Sequence, residues 1–203
     1  MEYGMKHCYK CSYENIIVRP LEAGDIESLR QWRNDPANTK FLKQIPYITP
    51  EMQKSWYERY LDDASELQFA ICFKDSGELI GSCALYDPEV SDDTENYRQE
   101  PKGLTFKDVA DVRVDSDDAG SWSAEFGKFM IGAGDAHGKH AGVSAVKAIA
   151  EIAFHNMGLE KLVLHVFCDH LAAVKVYQQA GFEIADEHIA DNGAPEFLMT
   201  MCR

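Results

Sequence analysis

Apolar positions change their period along the chain, and each change marks an element. Residues 16–19 (IIVR) read as a first strand, ended by Pro20. Across 25–34, Ile26, Leu29 and Trp32 recur every three residues, the spacing of one helix face, and Asp35-Pro36 closes that helix. Thr49-Pro50 opens a second helix running through 61, with Thr49 as N-cap and Pro50 at the first helical position. Residues 67–73 and 79–85 are apolar runs separated by Lys74-Asp-Ser-Gly77, a hairpin signal.

The pattern sharpens from residue 121 onward. Residues 123–131 read as a strand, 143–157 as a helix closed by Gly158, Lys161–Phe167 as a strand and Leu171–Ala180 as a short helix closed by Gly181. Residues 182–189 and 197–201 form a terminal hairpin around Asn192-Gly193. The order is α+β, with one β-α-β crossover near the centre.

Between these halves, residues 86–120 are acidic and polar, with order expected around 109–114. They hold too few apolar residues for a second core. The expectation is a single domain over 1–203, with 1–14 a flexible arm and 87–120 an acidic insertion or long loop.

Composition narrows the function classes. The chain carries 20 Lys+Arg against 34 Asp+Glu, a net charge of −14. Such a balance argues against nucleic-acid binding, which depends on neutralising phosphates, and suits amine-bearing partners. No stretch approaches the roughly 20 apolar residues of a membrane span, and the opening MEYGMKHCYKC lacks the apolar core of a secretory signal. The expectation is a cytoplasmic protein with no membrane partner and reduced cysteines. His7, Cys8 and Cys11 form a lone H-C-x-x-C, one ligand short of a closed zinc site, so no metal is expected.

The densest chemical signal is the stretch 130–142 (MIGAGDAHGKHAG), with glycines at 132, 134, 138 and 142 joining a strand to an amphipathic helix. Glycine lets backbone approach a ligand, and the helix start offers unpaired N–H groups and the positive end of its dipole. Together they suit a phosphate or pyrophosphate. A P-loop would need Ser or Thr after Gly138-Lys139, where His140 stands. A dinucleotide fold would need G-x-G-x-x-G, and Gly132, Gly134 and Gly138 are spaced one residue too far.

At this point the chain resembles the GNAT superfamily of N-acetyltransferases, in particular its RimJ/RimL-like branch. The family's acyl-CoA loop reads Q/R-x-x-G-x-G/A, and His137-Gly-Lys-His-Ala-Gly142 occupies that register after a strand ending at Ile131. The family's second motif, N-x-x-A-x-x-x-Y-x-x-x-G-F, is matched by His170, Ala173, Tyr177 and Gly181-Phe182. Three histidines depart from the pattern: His137 at its first position, His140 at the inner glycine and His170 at the asparagine.

The resemblance implies the GNAT fold, a central mixed and mostly antiparallel sheet flanked by helices, and acetyl-CoA as co-substrate with a small-molecule amine as acceptor. It implies contacts to the cofactor from Phe129, Met130 and Ile131 on the strand, from His137, Gly138, Lys139, His140, Ala141, Gly142 and Val143 on the loop and helix, and from His170 and Tyr177. Backbone N–H groups near Phe129–Ile131 would polarise the thioester carbonyl, and Tyr177 would act as general acid at the sulfur. Glu125 is the candidate base, with Asp111 and Asp115 as alternatives. Trp32, Arg33 and Asn34 end the first helix where acceptors are walled in, an arrangement that resembles amino-sugar acetyltransferases. Protein N-terminal and aminoglycoside acetyltransferases, and a GNAT-fold protein that binds acyl-CoA without turnover, stay open as alternatives. A monomer or homodimer is expected.

Overall fold

The computed structural model describes residues 6–40, 46–91, 103–112, 121–136 and 140–203. Alternating patterns become eight strands: β1 (Cys11–Tyr13), β2 (Ile16–Pro20), β3 (Glu66–Phe73), β4 (Leu79–Ser91), β5 (Ser121–Ile131), β6 (Lys161–Phe167), β7 (Glu183–Ile189) and β8 (Pro195–Cys202). They form one sheet in the order β1-β2-β3-β4-β5-β6-β8-β7. Every neighbouring pair is antiparallel except β5 and β6. That parallel pair encloses the one crossover helix, α5 (Ala141–Glu151), which continues as a π-helical turn over Ile152–Met157 and stops at Gly158 with φ +70°.

Period-two burial sends alternate residues to opposite faces. Ile16, Val18, Leu67, Phe69, Ile71, Cys83, Leu85, Trp122, Ala124 and Phe126 pack against α5 and α6 (Leu171–Ala180) in the main core. Ala70 and Cys72 face the other way, onto Leu29 of α1 (Ile26–Asn34) and Tyr57 and Tyr60 of α3 (Pro50–Asp62). α3 starts as its sequence suggests, with the Thr49 side chain accepting from Met52 N–H and Pro50 in the first turn. A four-residue α2 (Pro36–Thr39) follows α1, capped by Asp35.

Two sequence expectations are corrected. Residues 6–14 are not a free arm: Lys6 Nζ donates to the Tyr60 carbonyl at 2.6 Å, the His7 ring lies 4.7 Å from that of Phe69, and β1 pairs with β2. The strand expected to end at residue 85 runs on to Ser91. Pro88 reads as a stop, yet it sits on a β-bulge where Asp87 takes φ +47° and pairing with β5 resumes at Glu89↔Ser123. The ordered stretch expected around 109–114 is α4 (Phe106–Val112) as far as it is described. Thr105 and Asp108 bond to each other's backbone N–H at 2.7 and 3.4 Å, a capping box, and Phe106 and Val109 are buried in the main core. All six cysteines are free thiols, and no described helix is long and apolar enough to cross a membrane.

Candidate active site

The parallel pair opens almost as soon as it forms. β5 and β6 are paired only at Ser123↔Lys161, Ala124↔Leu162 and Glu125↔Val163. Beyond these, β5 continues on β4 alone and β6 on β8 alone. The facing edges of 126–131 and 164–167 therefore carry backbone donors and acceptors that no strand pairing uses. A buried edge of this kind must find partners, and an extended ligand bearing amides supplies them. A bulge aims the β5 edge: Lys128 and Phe129 together oppose Cys83, with Lys128 at φ +50°.

Aromatic rings floor the opening. Tyr177, on α6, lies edge-on to Phe126 at 6.1 Å and within 6.0 Å of both Phe129 and Phe182. Its ring is buried, and that burial holds the phenol well above its ordinary range, so it stays protonated. Cys83, beneath it on β4, is fully buried and likewise pushed up.

At the far end of β5 stands the start of α5. The first intrahelical bond described there runs from Ser144 N–H to the His140 carbonyl, so the amides of Ala141, Gly142 and Val143 form the helix start, the turn whose N–H groups an α-helix leaves for caps or ligands. His140 caps the helix at φ +56°, the left-handed conformation that the family pattern fills with glycine. Histidine thus keeps the glycine geometry at a cost of about 1–2 kcal/mol. A Cβ on Gly142 would meet Val176 at 3.4 Å and Phe129 at 3.6 Å, ordinary contact distances, and its φ is not positive. Nothing among the described residues requires glycine at 142. His137, Gly138 and Lys139 lie outside the described residues.

His170 precedes α6 without capping it through its side chain. Burial lowers its imidazole pKa, Asp169 opposes that, and the Lys40 charge adds to it.

The opposite face holds the candidate acceptor wall. The Trp32 indole lies flat against Gly132, directly after β5; a Cβ there would fall 2.1 Å from a ring carbon. Gly132→Ala is therefore expected to displace Trp32 and destabilise the fold by about 1–3 kcal/mol, read as a fall of a few degrees in the thermal midpoint. Trp32→Leu in the same chain should recover most of it, and equal losses with and without Trp32 would refute the contact. Arg33 is half-buried, its guanidinium 5.8 Å from the Trp56 ring; burial lowers its pKa against the charge of Glu66. Among the described residues no carboxylate lies within ion-pair reach of it. Asn34 differs: its amide donates to and accepts from the Ile48 backbone, both at 2.8 Å, so it holds the segment before α3 in place.

Glu125 sits at the apex of the opening, in a row across three strands. Glu66 is opposite Tyr86, and Tyr86 is opposite Glu125. The Tyr86 hydroxyl donates to Glu125, and Lys128 Nζ reaches Glu66 at 2.5 Å. Gly127 leaves room for this arrangement, since a Cβ there would lie 2.6 Å from the Tyr86 hydroxyl. Phe129–Ile131 are four to six residues beyond Glu125, roughly 13–20 Å along the strand. The side chain of Asp111 and all of Asp115 lie outside what is described. Sequence reading missed Tyr86, Glu66 and Lys128, because cross-strand pairing brings them together and no local motif marks it.

Comparison with known proteins places this geometry. L-amino acid N-acetyltransferase AaaT of Escherichia coli is 25% identical over 171 residues, 83% of each chain. Acetyltransferase PseH of Campylobacter jejuni is 26% identical over 167 residues, 82% of each chain. Among solved structures, a spermidine N-acetyltransferase from Vibrio cholerae in complex with CoA and spermine superposes with a TM-score of 0.68 at 19% identity, over 93% of this chain and 95% of that one, and so shares the fold. The model of the acetyltransferase (GNAT) domain matches residues 15–183. On that match, which runs from β2 through α6 and stops at the first residue of β7, this chain belongs to the GNAT acetyltransferases.

Proposed function

We propose that the chain transfers the acetyl group of acetyl-CoA to a primary amine of a small molecule. The observation that carries this is the opened β5–β6 pair, with the N-terminal turn of α5 standing beyond the end of β5. Coenzyme A has the matching chemistry: a pantetheine arm with two amides for the strand edges, and a pyrophosphate for the helix start. Phe129, Met130 and Ile131 offer the edge. His137, Gly138, Lys139, His140, Ala141, Gly142 and Val143 take the phosphates, and His170 and Tyr177 line the α6 side. Backbone N–H groups of the β5 edge polarise the thioester carbonyl, and Tyr177 donates to the departing sulfur. Glu125 draws the amine proton directly or through water, and its distance along the strand from Phe129–Ile131 favours the water route.

Trp32 and Arg33 face the acceptor, while Asn34 positions the loop. An amino sugar, free or nucleotide-linked, fits the resemblance to the RimJ/RimL-like branch. Arg33 favours a second reading, an acceptor that carries an anion beside its amine, because a half-buried guanidinium with no carboxylate partner among the described residues suits bidentate recognition of carboxylate or phosphate.

The test is release of free thiol from acetyl-CoA across a panel of amino sugars, nucleotide-linked amino sugars, amino acids, polyamines and aminoglycosides. Turnover is expected with an anionic amine, and Arg33→Gln should raise KM for that amine and not for acetyl-CoA. Tight binding of CoA with no amine turned over would mean an acyl-CoA-binding protein instead. Gly142→Ala separates ligand contact from folding. Alanine is the better helix former by up to about 1 kcal/mol, so thermal stability should hold or rise, while KM for acetyl-CoA rises about tenfold. A stability loss with unchanged KM would refute the ligand role of Gly142.

A further inference from the structure

The C-terminal hairpin carries a cluster that the transfer reaction does not use. Leu162, Leu164 and Val166 of β6 and Met199 and Met201 of β8 face the main core. Alternation therefore puts His165 and Glu196 on the opposite face. His188 on β7 is directly opposite Glu196, and Glu196 is opposite Phe167, which makes His165 its diagonal neighbour on β6. Three adjacent strands thus converge two imidazoles and one carboxylate on a single point. His188 Nε2 lies 3.5 Å and His165 Nδ1 3.8 Å from the same Glu196 oxygen, Oε2. No two of the three donor atoms are farther apart than 4.8 Å. The imidazole rings stand almost perpendicular, at 88° with centroids 5.3 Å apart.

These separations are too long for hydrogen bonds, which run about 2.7–3.2 Å for N–H···O. They are close to what a shared ion needs. Zinc binds imidazole nitrogen and carboxylate oxygen at about 2.0–2.2 Å, so donors around a tetrahedral ion sit roughly 3.3–3.5 Å apart. Small rotations of two side chains close the difference, and the strand register already fixes their origins. Imidazole nitrogen selects zinc, cobalt, nickel or copper over magnesium and calcium, which prefer all-oxygen sites. Access is open, since His165 is exposed and the other two are partly so. Glu183, Asp186 and Glu187 on β7 add negative charge nearby, in a chain with net charge −14.

We infer that His165, His188 and Glu196 form a binding site for a zinc-class divalent ion that ties β6, β8 and β7 together, on the sheet face turned away from the main core. The expectation of no metal is revised at this one place. His7, Cys8 and Cys11 are not the site: the His7 ring turns inward on Gln68, whose carbonyl lies 3.1 Å from Nε2.

The experiment uses the full chain stripped with chelator, in wild-type form and with Cys8, Cys11 and Cys202 replaced by Ser so that these thiols cannot contribute. Calorimetric titration with Zn(II) should show one ion per chain with micromolar affinity in both. Co(II) should give the intense visible bands of a four- or five-coordinate site. The thermal midpoint should rise by about 5–10 °C at a hundredfold excess over Kd. His165→Asn, His188→Asn and Glu196→Gln should each weaken Zn(II) at least tenfold while keeping the metal-free midpoint. Should a histidine variant fail to fold, the near-isosteric Glu196→Gln decides alone. Absence of stoichiometric binding, a purely octahedral Co(II) spectrum, or undiminished Zn(II) affinity in Glu196→Gln would overturn the site.

Discussion

Tyr177→Phe is expected to lower kcat for acetyl transfer by about 10²-fold while leaving the fold and the KM for acetyl-CoA near wild type. The expectation follows from what each part of the side chain does. The ring is fixed by Phe126, Phe129 and Phe182, at 6.0–6.1 Å between centroids, and phenylalanine keeps all three contacts. The hydroxyl makes no hydrogen bond among the described residues. Losing it breaks no described bond, so the thermal midpoint should stay near wild type. A purely structural tyrosine would show that same stability and undiminished kcat, which is the result that would sink the proposal.

The size of the effect comes from the proton's chemistry. Burial keeps the phenol protonated far above neutral pH, whereas a thiol ionises near 8.5. Outright proton transfer to the sulfur is therefore uphill. A hydrogen bond that strengthens as negative charge grows on the sulfur is not. A bond to a charged acceptor contributes about 1.5–3 kcal/mol, which spans roughly 10- to 150-fold in rate, the lower part of the range for general acids. The same reasoning predicts no alkaline loss of kcat from Tyr177 below about pH 10.

What the chain order reveals and what it conceals divides along contact range. β6 and α6 are found with the bounds their apolar periods indicate, because each is a strong local pattern and Gly181 ends α6 at φ +117°. The candidate anion loop stands out in the sequence for the same reason: glycines and a helix start are neighbours there. β1 is three residues with a serine at its centre and shows no period. The second half of β4 is hidden by Pro88, since only the bulge at Asp87 makes proline acceptable there. α4 lies in an acidic stretch whose Thr105-x-x-Asp108 box is a genuine start signal that charge composition obscures. That His140 adopts the glycine conformation cannot be read from its identity, because β-carbon strain depends on whether the surroundings hold it. Trp32 against Gly132, the Glu66–Tyr86–Glu125 row and the His165–His188–Glu196 cluster each need strands or helices far apart in sequence to be placed first.

The second large effect is an acid-sensitive N-terminal segment, which His7→Phe should relieve. The His7 ring packs on Phe69, its Nε2 faces the Gln68 carbonyl, and its Nδ1 is buried with no partner among the described residues. A proton on Nδ1 would have nothing to bond. Burial accordingly pushes the imidazole from 6.5 down to about 4, with the Lys6 charge adding to the push and the Gln68 bond opposing it. The unfolded chain then takes up a proton that the folded chain refuses. Above pH 6.5 both forms are neutral and nothing is lost; from there stability falls until about pH 4 and levels off. At about 1.4 kcal/mol per pH unit the total loss is about 3.5 kcal/mol, of which about 3 kcal/mol is reached by pH 4. Phenylalanine preserves the ring contact and gives up one hydrogen bond, about 1 kcal/mol, because the Gln68 carbonyl still accepts from Leu21 N–H at 3.1 Å. Denaturant unfolding from pH 7.5 to 4 should therefore show the variant less stable at neutral pH, equal near pH 6, and more stable than wild type by about 2 kcal/mol at the acid end. Other histidines and the carboxylates titrate in both proteins and cancel in the difference. Parallel curves would mean that His7 titrates freely and that its buried placement contributes nothing to acid sensitivity.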